Sequence, residues 1–306
     1  MKDFVFYAPT EVAFGADSEA QLIPLLHKYG ATRVLLHYGG QSAERSGLLG
    51  SIRSQLRSAG MAFVELGGVV PNPLLSKVQE GIVLARNEHV DFILAVGGGS
   101  VIDSAKAIGY GVPYAGDVWE IYSGSHTPQA CLPVGVVLTI PAAGSEMSNS
   151  SVITRDEGEL KRGYTNDICR PRFAIMNPVR TFTLPAYQTA AGITDIIMHT
   201  LERYFCEDGS RELLDAMSEA LLRTMVSVGP RLLADPYNYD LRAEAMWAGS
   251  MAHNDVMGQR SFGDWATHQI EHELSALYDC AHGAGLAVTL PANFTYVMSH
   301  DVMRFA

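Results

Sequence analysis

The chain has 306 residues, which at about 150 residues per domain predicts two domains. Hydrophobic residues make up 47% and charged residues 18%, which excludes a disordered chain. The net charge of −11 argues against a nucleic-acid or anionic-membrane partner, since both reward a basic face. Cys131, Cys169, Cys206 and Cys280 form no CxxC pair and no disulfide framework, so a cytoplasmic location is expected. Met1 to Gly15 lacks the basic start and apolar core of a signal peptide. The longest apolar stretch, Cys131 to Gly144, is too short for a bilayer and holds Pro133 and Pro141.

In chain order, Arg33–His37 reads as a strand, Ser42 to about Ser58 as a helix, and Ala62–Leu66 as a second strand. Pro71-Asn72-Pro73 is a turn, and Ser76–Asn87 has helical period. Asp91–Val96 is apolar on both faces, as a buried parallel strand should be. Val134–Ile140 and Arg172–Met176 are further strands. Alternation of this kind predicts a parallel sheet covered by helices. After about Pro185 the pattern becomes helical: Thr189–Phe205, Glu212–Ser227, Leu241–Met257, Trp265–Tyr278 and Tyr296–Phe305. The expected division is therefore an α/β domain over residues 1–185 and an all-helical domain over 186–306.

Two glycine-rich turns carry the first chemical signal. Gly97-Gly98-Gly99-Ser100 runs from a strand into the helical segment Val101–Ile108. Side-chain-free residues let backbone N–H groups approach a phosphate, and a helix start favours negative charge. The motif is neither a Walker A loop nor a true GxGxxG, because Ile102 stands where the third glycine would be. An ordinary tight turn is the competing reading. Gly39-Gly40 follows the first strand in the same way. There, Gly40-Gln41-Ser42 replaces the carboxylate that an NAD site uses for the ribose hydroxyls, and Arg45 is close by.

The second signal is a set of polar residues in the helical half. Asp195 and His199 are four apart, as are His268 and His272, so each pair shares a helix face. His282 follows beside Gly283. One carboxylate and several imidazoles suit a divalent transition metal. His268-Gln-Ile-Glu271-His272 also matches H-x-x-E-H, in which both histidines bind zinc and Glu271 is the base of a peptidase. His27, His37, His89, His126, His253 and His300 have no partner at ligand spacing and read as surface or packing residues. Glu44, Asp156, Glu157 and Glu159 read as solvated faces, and Phe262, Trp265 and Tyr278 are candidates to line an apolar substrate pocket.

These segments together resemble the iron-containing (group III) alcohol dehydrogenases, in the branch of the NADPH-dependent butanol dehydrogenases and aldehyde reductases. The resemblance rests on Gly97-Gly-Gly-Ser-Val-Ile-Asp-Ser-Ala-Lys106, Thr139-Ile-Pro-Ala-Ala-Gly-Ser-Glu146, Phe173-Ala-Ile-Met-Asn-Pro178, Ala191-Gly-Ile-Thr-Asp-Ile-Ile-Met-His199, Asp264-Trp-Ala-Thr-His268 and His282-Gly283.

It implies a dehydroquinate synthase-like fold: an N-terminal dinucleotide-binding α/β domain followed by a helical metal-binding domain that continues beyond Ala306. It implies Asp195, His199, His268 and His282 as ligands to Fe²⁺ or Zn²⁺, with His272 as a catalytic proton relay rather than a ligand. Gly39, Gly40, Gln41, Ser42, Asn72, Gly97, Gly98, Gly99, Ser100, Asp103, Thr139 and Lys161 become the cofactor-binding set. Gly40 stands where NAD-preferring relatives carry Asp, which implies NADP(H) over NAD(H). The implied reaction is hydride transfer between nicotinamide and a small primary alcohol or aldehyde, in a homodimer or larger homo-oligomer. The sequence departs from the family at Ala143, usually Thr, and at Gln41, usually Gly. The competing functions are a dehydroquinate synthase-like or glycerol dehydrogenase-like enzyme of the same fold, a non-catalytic NADP-binding protein, and the zinc peptidase.

Overall fold

The computed structural model describes residues 3–205, 211–258, 265–300 and 302–305. Two compact units form: Ala8–Ile140 with Ser145–Phe182, and Thr183–Ala306 with Pro141–Gly144 and Met1–Tyr7.

In chain order the first unit contains β1 (Glu11–Phe14), α1 (Leu22–Lys28), β2 (Arg33–Tyr38), α2 (Ser42–Arg45), α3 (Leu48–Ser58), β3 (Ala62–Leu66), α4 (Leu75–Asn87), β4 (Phe92–Gly97) and α5 (Gly99–Gly111). It continues with α6 (Trp119–Tyr122), β5 (Val134–Leu138), β6 (Ser150–Arg155), β7 (Leu160–Thr165) and β8 (Phe173–Met176). Six strands make one sheet in the order β1-β8-β5-β4-β2-β3, and every neighbouring pair is parallel. β4 is buried at every position, as its continuous apolar run requires. On one face Leu26, Leu36, Leu49, Leu56, Phe92, Leu94 and Phe173 pack into a single core.

The strand order places the glycine turns. From β2 the chain crosses to β3 at one edge, returns to β4, and then proceeds to β5 on the other side. β2 and β4 are therefore adjacent strands whose onward connections diverge. In open α/β sheets, ligands bind outside the carboxyl ends of such a strand pair. Gly39-Gly40 leaves the carboxyl end of β2, and Gly98 leaves that of β4.

Three features of this unit differ from expectation. The helix expected over 42–58 breaks into α2 and α3, because Gly47 takes a left-handed φ of 75°. Glu11–Phe14 is a strand at the sheet edge that the sequence pattern did not reveal. β6 and β7 form an antiparallel hairpin that the sequence pattern did not reveal; Asp156, Glu157 and Glu159, read as solvated, are exposed in its turn, with Gly158 and Glu159 at positive φ.

The second unit contains α7 (Ala186–Tyr204), α8 (Glu212–Ala234), α9 (Tyr239–His253), α10 (Ala266–Tyr278), α11 (His282–Val297) and α12 (Val302–Phe305). α7 packs against α8, α9 and α11, and α10 packs against α11. Its core gathers Ile193, Ile196, Met225, Val228, Leu232 and Ala245. α8 continues past the expected end at Ser227, through Pro230, because Val228 and Leu232 still bury themselves. α9 ends at His253 rather than Met257. The helix expected over 296–305 is interrupted: α11 runs to Val297 and α12 starts at Val302.

Candidate metal centre and cofactor cradle

Three helices of the second unit bring the predicted polar residues together. α7 buries Asp195, His199 and Glu202, spaced at i, i+4 and i+7 on one face. α10 buries His268, Glu271 and His272. His282 is the first residue of α11. Its neighbour Gly283 lies against α7 so closely that a Cβ there would sit 1.9 Å from the Ala191 carbonyl oxygen. Ala191 is one helical turn before Asp195, so this backbone approach sets His282 beside that carboxylate.

Asp195, His268 and His282 each offer a ligand atom within 4.8 Å of the others. His282 Nε2 is 3.8 Å from Asp195 Oδ1. A tetrahedral ion with bonds of about 2.1 Å holds its donors about 3.4 Å apart, so the group is close to the size of one coordination shell. His199 stands beside it, with Nδ1 3.3 Å from Asp195 Oδ1 and its ring 4.7 Å from that of His268. Burial, and then the neighbouring His268, Arg203 and His282, hold the His199 imidazole well below its usual pKa. The neutral ring is the form that binds a metal. His268 Nε2 is buried and has no hydrogen-bond partner. A buried nitrogen left in this way is disfavoured in a finished core, and a metal ligand accounts for it. The donor set therefore fits a divalent transition metal.

His272 lies next to this group, with its ring 5.6 Å from that of His282. Glu271, His272 and His282 form a second set whose ligand atoms lie within 4.8 Å of one another. Among the described residues, neither set contains His268 and His272 together, the pair that the H-x-x-E-H peptidase reading needs.

Glu202 was not among the predicted site residues, though spacing could have flagged it, and Glu271 was read only as the base of the peptidase alternative. Glu202 is three residues after His199, and Glu271 three after His268. Each now bonds an imidazole. His268 Nδ1 and the His268 backbone N–H both donate to Glu202 Oε1, at 3.1 Å. His282 Nδ1 donates to Glu271 Oε2. His253, read as a surface or packing residue, lies with its ring tilted 46° and its centre 4.2 Å from that of His199, and meets Arg203 Nη2 at 3.2 Å. Arg203 in turn lies over Trp265, 4.6 Å from the ring centre. Of the expected pocket residues, Tyr278 is 75% exposed. Phe262, like Cys206, lies outside the described residues.

The sheet unit assembles the predicted cofactor residues. Gly98 is extended (φ −96°, ψ −166°) and caps α5, so this turn does not need glycine there for a left-handed backbone. Gly40, Gln41 and Ser42 are exposed beyond β2, and a Cβ on Gly40 would meet nothing within 4 Å. Lys161 on β7 donates to Asn72 Oδ1 at 2.9 Å. The hairpin that carries Lys161 is fixed to the same loop by Thr154 N to Pro73 O, 2.8 Å, and to the start of α4 by Ser76 on Asp156. Thr139 donates its backbone N–H to Gly97 O.

Asp103 accepts from Ser145 Oγ at 2.6 Å and from Val152 N at 2.9 Å, and burial raises its pKa. Lys106, to which the sequence gave no role, is wholly buried. Its Nζ donates to the carbonyls of Ser145, Ser148 and Ser150 at 2.7, 3.0 and 2.8 Å. Together the two residues fasten the segment 145–152 to α5.

Comparison with known proteins follows the same two-part division. The family model for iron-containing alcohol dehydrogenase matches residues 9–178, and that for the C-terminal part of the Fe-containing alcohol dehydrogenase family matches 189–306. The chain is 44% identical over 305 residues to a probable NADH-dependent butanol dehydrogenase 2 of Bacillus subtilis, covering 100% of this chain and 78% of that protein. It is 37% identical to the NADPH-dependent aldehyde reductase YqhD of Escherichia coli, covering 95% of this chain and 75% of that one. Among solved structures, the NADH-dependent butanol dehydrogenase A of Thermotoga maritima superposes with a TM-score of 0.97 at 41% identity, over 100% of this chain and 77% of that one.

Proposed function

The chain belongs to the iron-containing alcohol dehydrogenase family, and from that premise we propose that it interconverts small primary alcohols and aldehydes, using NADP(H) in preference to NAD(H) and a bound Fe²⁺ or Zn²⁺. The observation that carries the reading is the cluster of buried Asp195 and His268 with half-buried His282, with His199 beside it. A dehydroquinate synthase-like cyclase and a peptidase give way to the family assignment.

When bound, the metal supplies Lewis acidity to a substrate oxygen, and the nicotinamide gives or takes the hydride. The remaining work falls to the chain. Asp195, His199, His268 and His282 hold the metal. The glycines after β2 and β4 hold the dinucleotide phosphates, Lys161 and Asn72 border them, and Asp103 keeps segment 145–152 in place. His272 holds a proton beside His282 and passes it outward, a task open to an imidazole because it can both give and take a proton.

The preference for NADP(H) is supported by the open space at Gly40 and by the absence of a carboxylate in Gly40-Gln41-Ser42. Both NADH and NADPH appear in the names of the relatives, so the ratio of kcat/KM for the two coenzymes decides it. A cytoplasmic setting is supported by the free thiols of Cys131, Cys169 and Cys280. Assembly as a homodimer or larger is tested by sedimentation.

The deciding experiment follows oxidation of NADPH and NADH with butanal, on enzyme stripped of metal and reloaded with Fe²⁺ or Zn²⁺. Metal-dependent oxidation, faster with NADPH, is expected. Protein that binds NADPH but oxidises it with neither metal overturns the reading. The alternative set Glu271–His272–His282 supports a second placement of the ion. His272→Ala separates the two: a relay loses turnover and keeps stoichiometric metal, whereas a ligand loses the metal itself.

A further inference from the structure

We propose that Glu202 and Glu271 are positioning residues that fix the tautomer and the ring orientation of His268 and His282, and thereby set how tightly this chain holds its metal. The inference rests on the metal reading above and adds two residues to it.

At His268, Glu202 Oε1 takes both the backbone N–H and Nδ1 at 3.1 Å. An ionised carboxylate only accepts, so Nδ1 carries the proton and Nε2 keeps its lone pair. That Nε2 is the buried nitrogen with no hydrogen-bond partner, and His268 belongs to the set with Asp195 and His282. At His282 the same arrangement recurs from a different helix. Nδ1 is engaged by Glu271 Oε2, which leaves Nε2 facing Asp195 Oδ1 at 3.8 Å.

Glu271 is 0% exposed, and room for it comes from the facing helix: a Cβ on Gly285 would lie 2.7 Å from Glu271 Oε1. Burying a carboxylate is unfavourable unless a partner compensates it. Glu202 and Glu271, placed independently on α7 and α10, each lie behind a candidate ligand rather than in a surface ion pair. A carboxylate behind an imidazole strengthens it as a donor and fixes the nitrogen it presents.

The test is the dissociation constant of Zn²⁺, and of Co²⁺ with its visible absorption, measured on metal-stripped protein by competition with a chromophoric chelator. Glu202→Gln and Glu271→Gln are each expected to weaken binding about 10- to 100-fold, and to shift the Co²⁺ spectrum. NADPH affinity and the far-UV circular dichroism should match wild type. Wild-type affinity in both folded variants overturns the proposal. If a Gln variant does not fold, Glu202→Asp and Glu271→Asp, which withdraw the carboxylate by one methylene, replace it. Weaker binding is expected there too, and unchanged binding again overturns the proposal. Loss of stoichiometric metal from His272→Ala as well as from Glu271→Gln makes Glu271 a ligand and overturns its positioning role. Wild-type protein that binds neither ion sinks the metal reading itself, whereas tight wild-type binding with unaffected variants sinks only this inference.

Discussion

His37, one of the histidines read as surface or packing residues, is a packing residue whose burial has an energetic consequence. It lies on β2, next to the edge strand β3, fully buried, with Nδ1 donating to Leu66 O and Nε2 accepting from Ser104 Oγ, both at 2.9 Å. Burial lowers its pKa from the usual 6.5 to about 4. The unfolded chain therefore binds the proton more tightly between those values. The stability His37 contributes is complete above the unfolded pKa and is lost as pH falls toward the folded one. From about pH 7 to about pH 5 the loss is about 2 kcal/mol. Urea titrations of His37→Gln should show a fall in unfolding free energy smaller than wild type by about that amount; an identical fall would remove His37 from the acid response. A second residue-scale prediction concerns Gly40. With open space around its Cβ position, Gly40→Asp should leave the melting temperature unchanged. It should also lower kcat/KM for NADPH relative to NADH, by about tenfold or more if the carboxylate meets a 2′-phosphate at a cost of 1.4 kcal/mol.

At the scale of elements, the approach of α11 to α7 governs the centre. Gly283→Ala drives a methyl group into the Ala191 carbonyl at 1.9 Å, which no rotamer relieves. Overpacking of this kind costs about 1–3 kcal/mol, and here it also separates His282 from Asp195. Thermal melts of the metal-free variant should show the destabilisation, and metal analysis should show reduced occupancy; full occupancy would mean the helices part elsewhere.

The same scale shows what was legible beforehand. β2, β4, β5 and β8 were readable because buried parallel strands are largely apolar runs, the edge strand β3 because of its aromatic and β-branched residues, and Asp195 with His199 because helical spacing is local. The hairpin β6–β7 escaped notice although Asp156-Glu157-Gly158-Glu159 is a turn signal, because its charges were read as an exposed face. Glu202 escaped, and Glu271 was read only as a peptidase base, because a buried carboxylate looks like a surface one in sequence. Only the partner across the helix interface, His268 or His282, distinguishes it. The meeting of α7 with α11 depends on Gly283 packing against a residue more than ninety positions away, which no local pattern encodes.

At the scale of the molecule, two units each own a core, one built around the sheet and one among α7, α8 and α9. The candidate metal ligands belong wholly to the helical unit and the glycine turns wholly to the sheet unit. Any ligand that binds only the native state raises its stability by mass action. Calorimetry should therefore resolve two transitions, with added Zn²⁺ raising the one that belongs to the helical unit and NADPH the other. A single transition moved equally by both ligands would mean that the units unfold as one.

The contrast between Gly283 and Gly40 has an evolutionary consequence. One glycine is held by main-chain atoms on a neighbouring helix, and the other faces empty space. Mutations reaching the first are purged as folding defects before any catalytic effect is exposed to selection. Mutations at the second are nearly neutral for folding and free to drift. On the proposed reading of Gly40 as the position that selects the coenzyme, a lineage carrying this chain into a cell with a different balance of reduced coenzymes would adapt there before its candidate metal set changed.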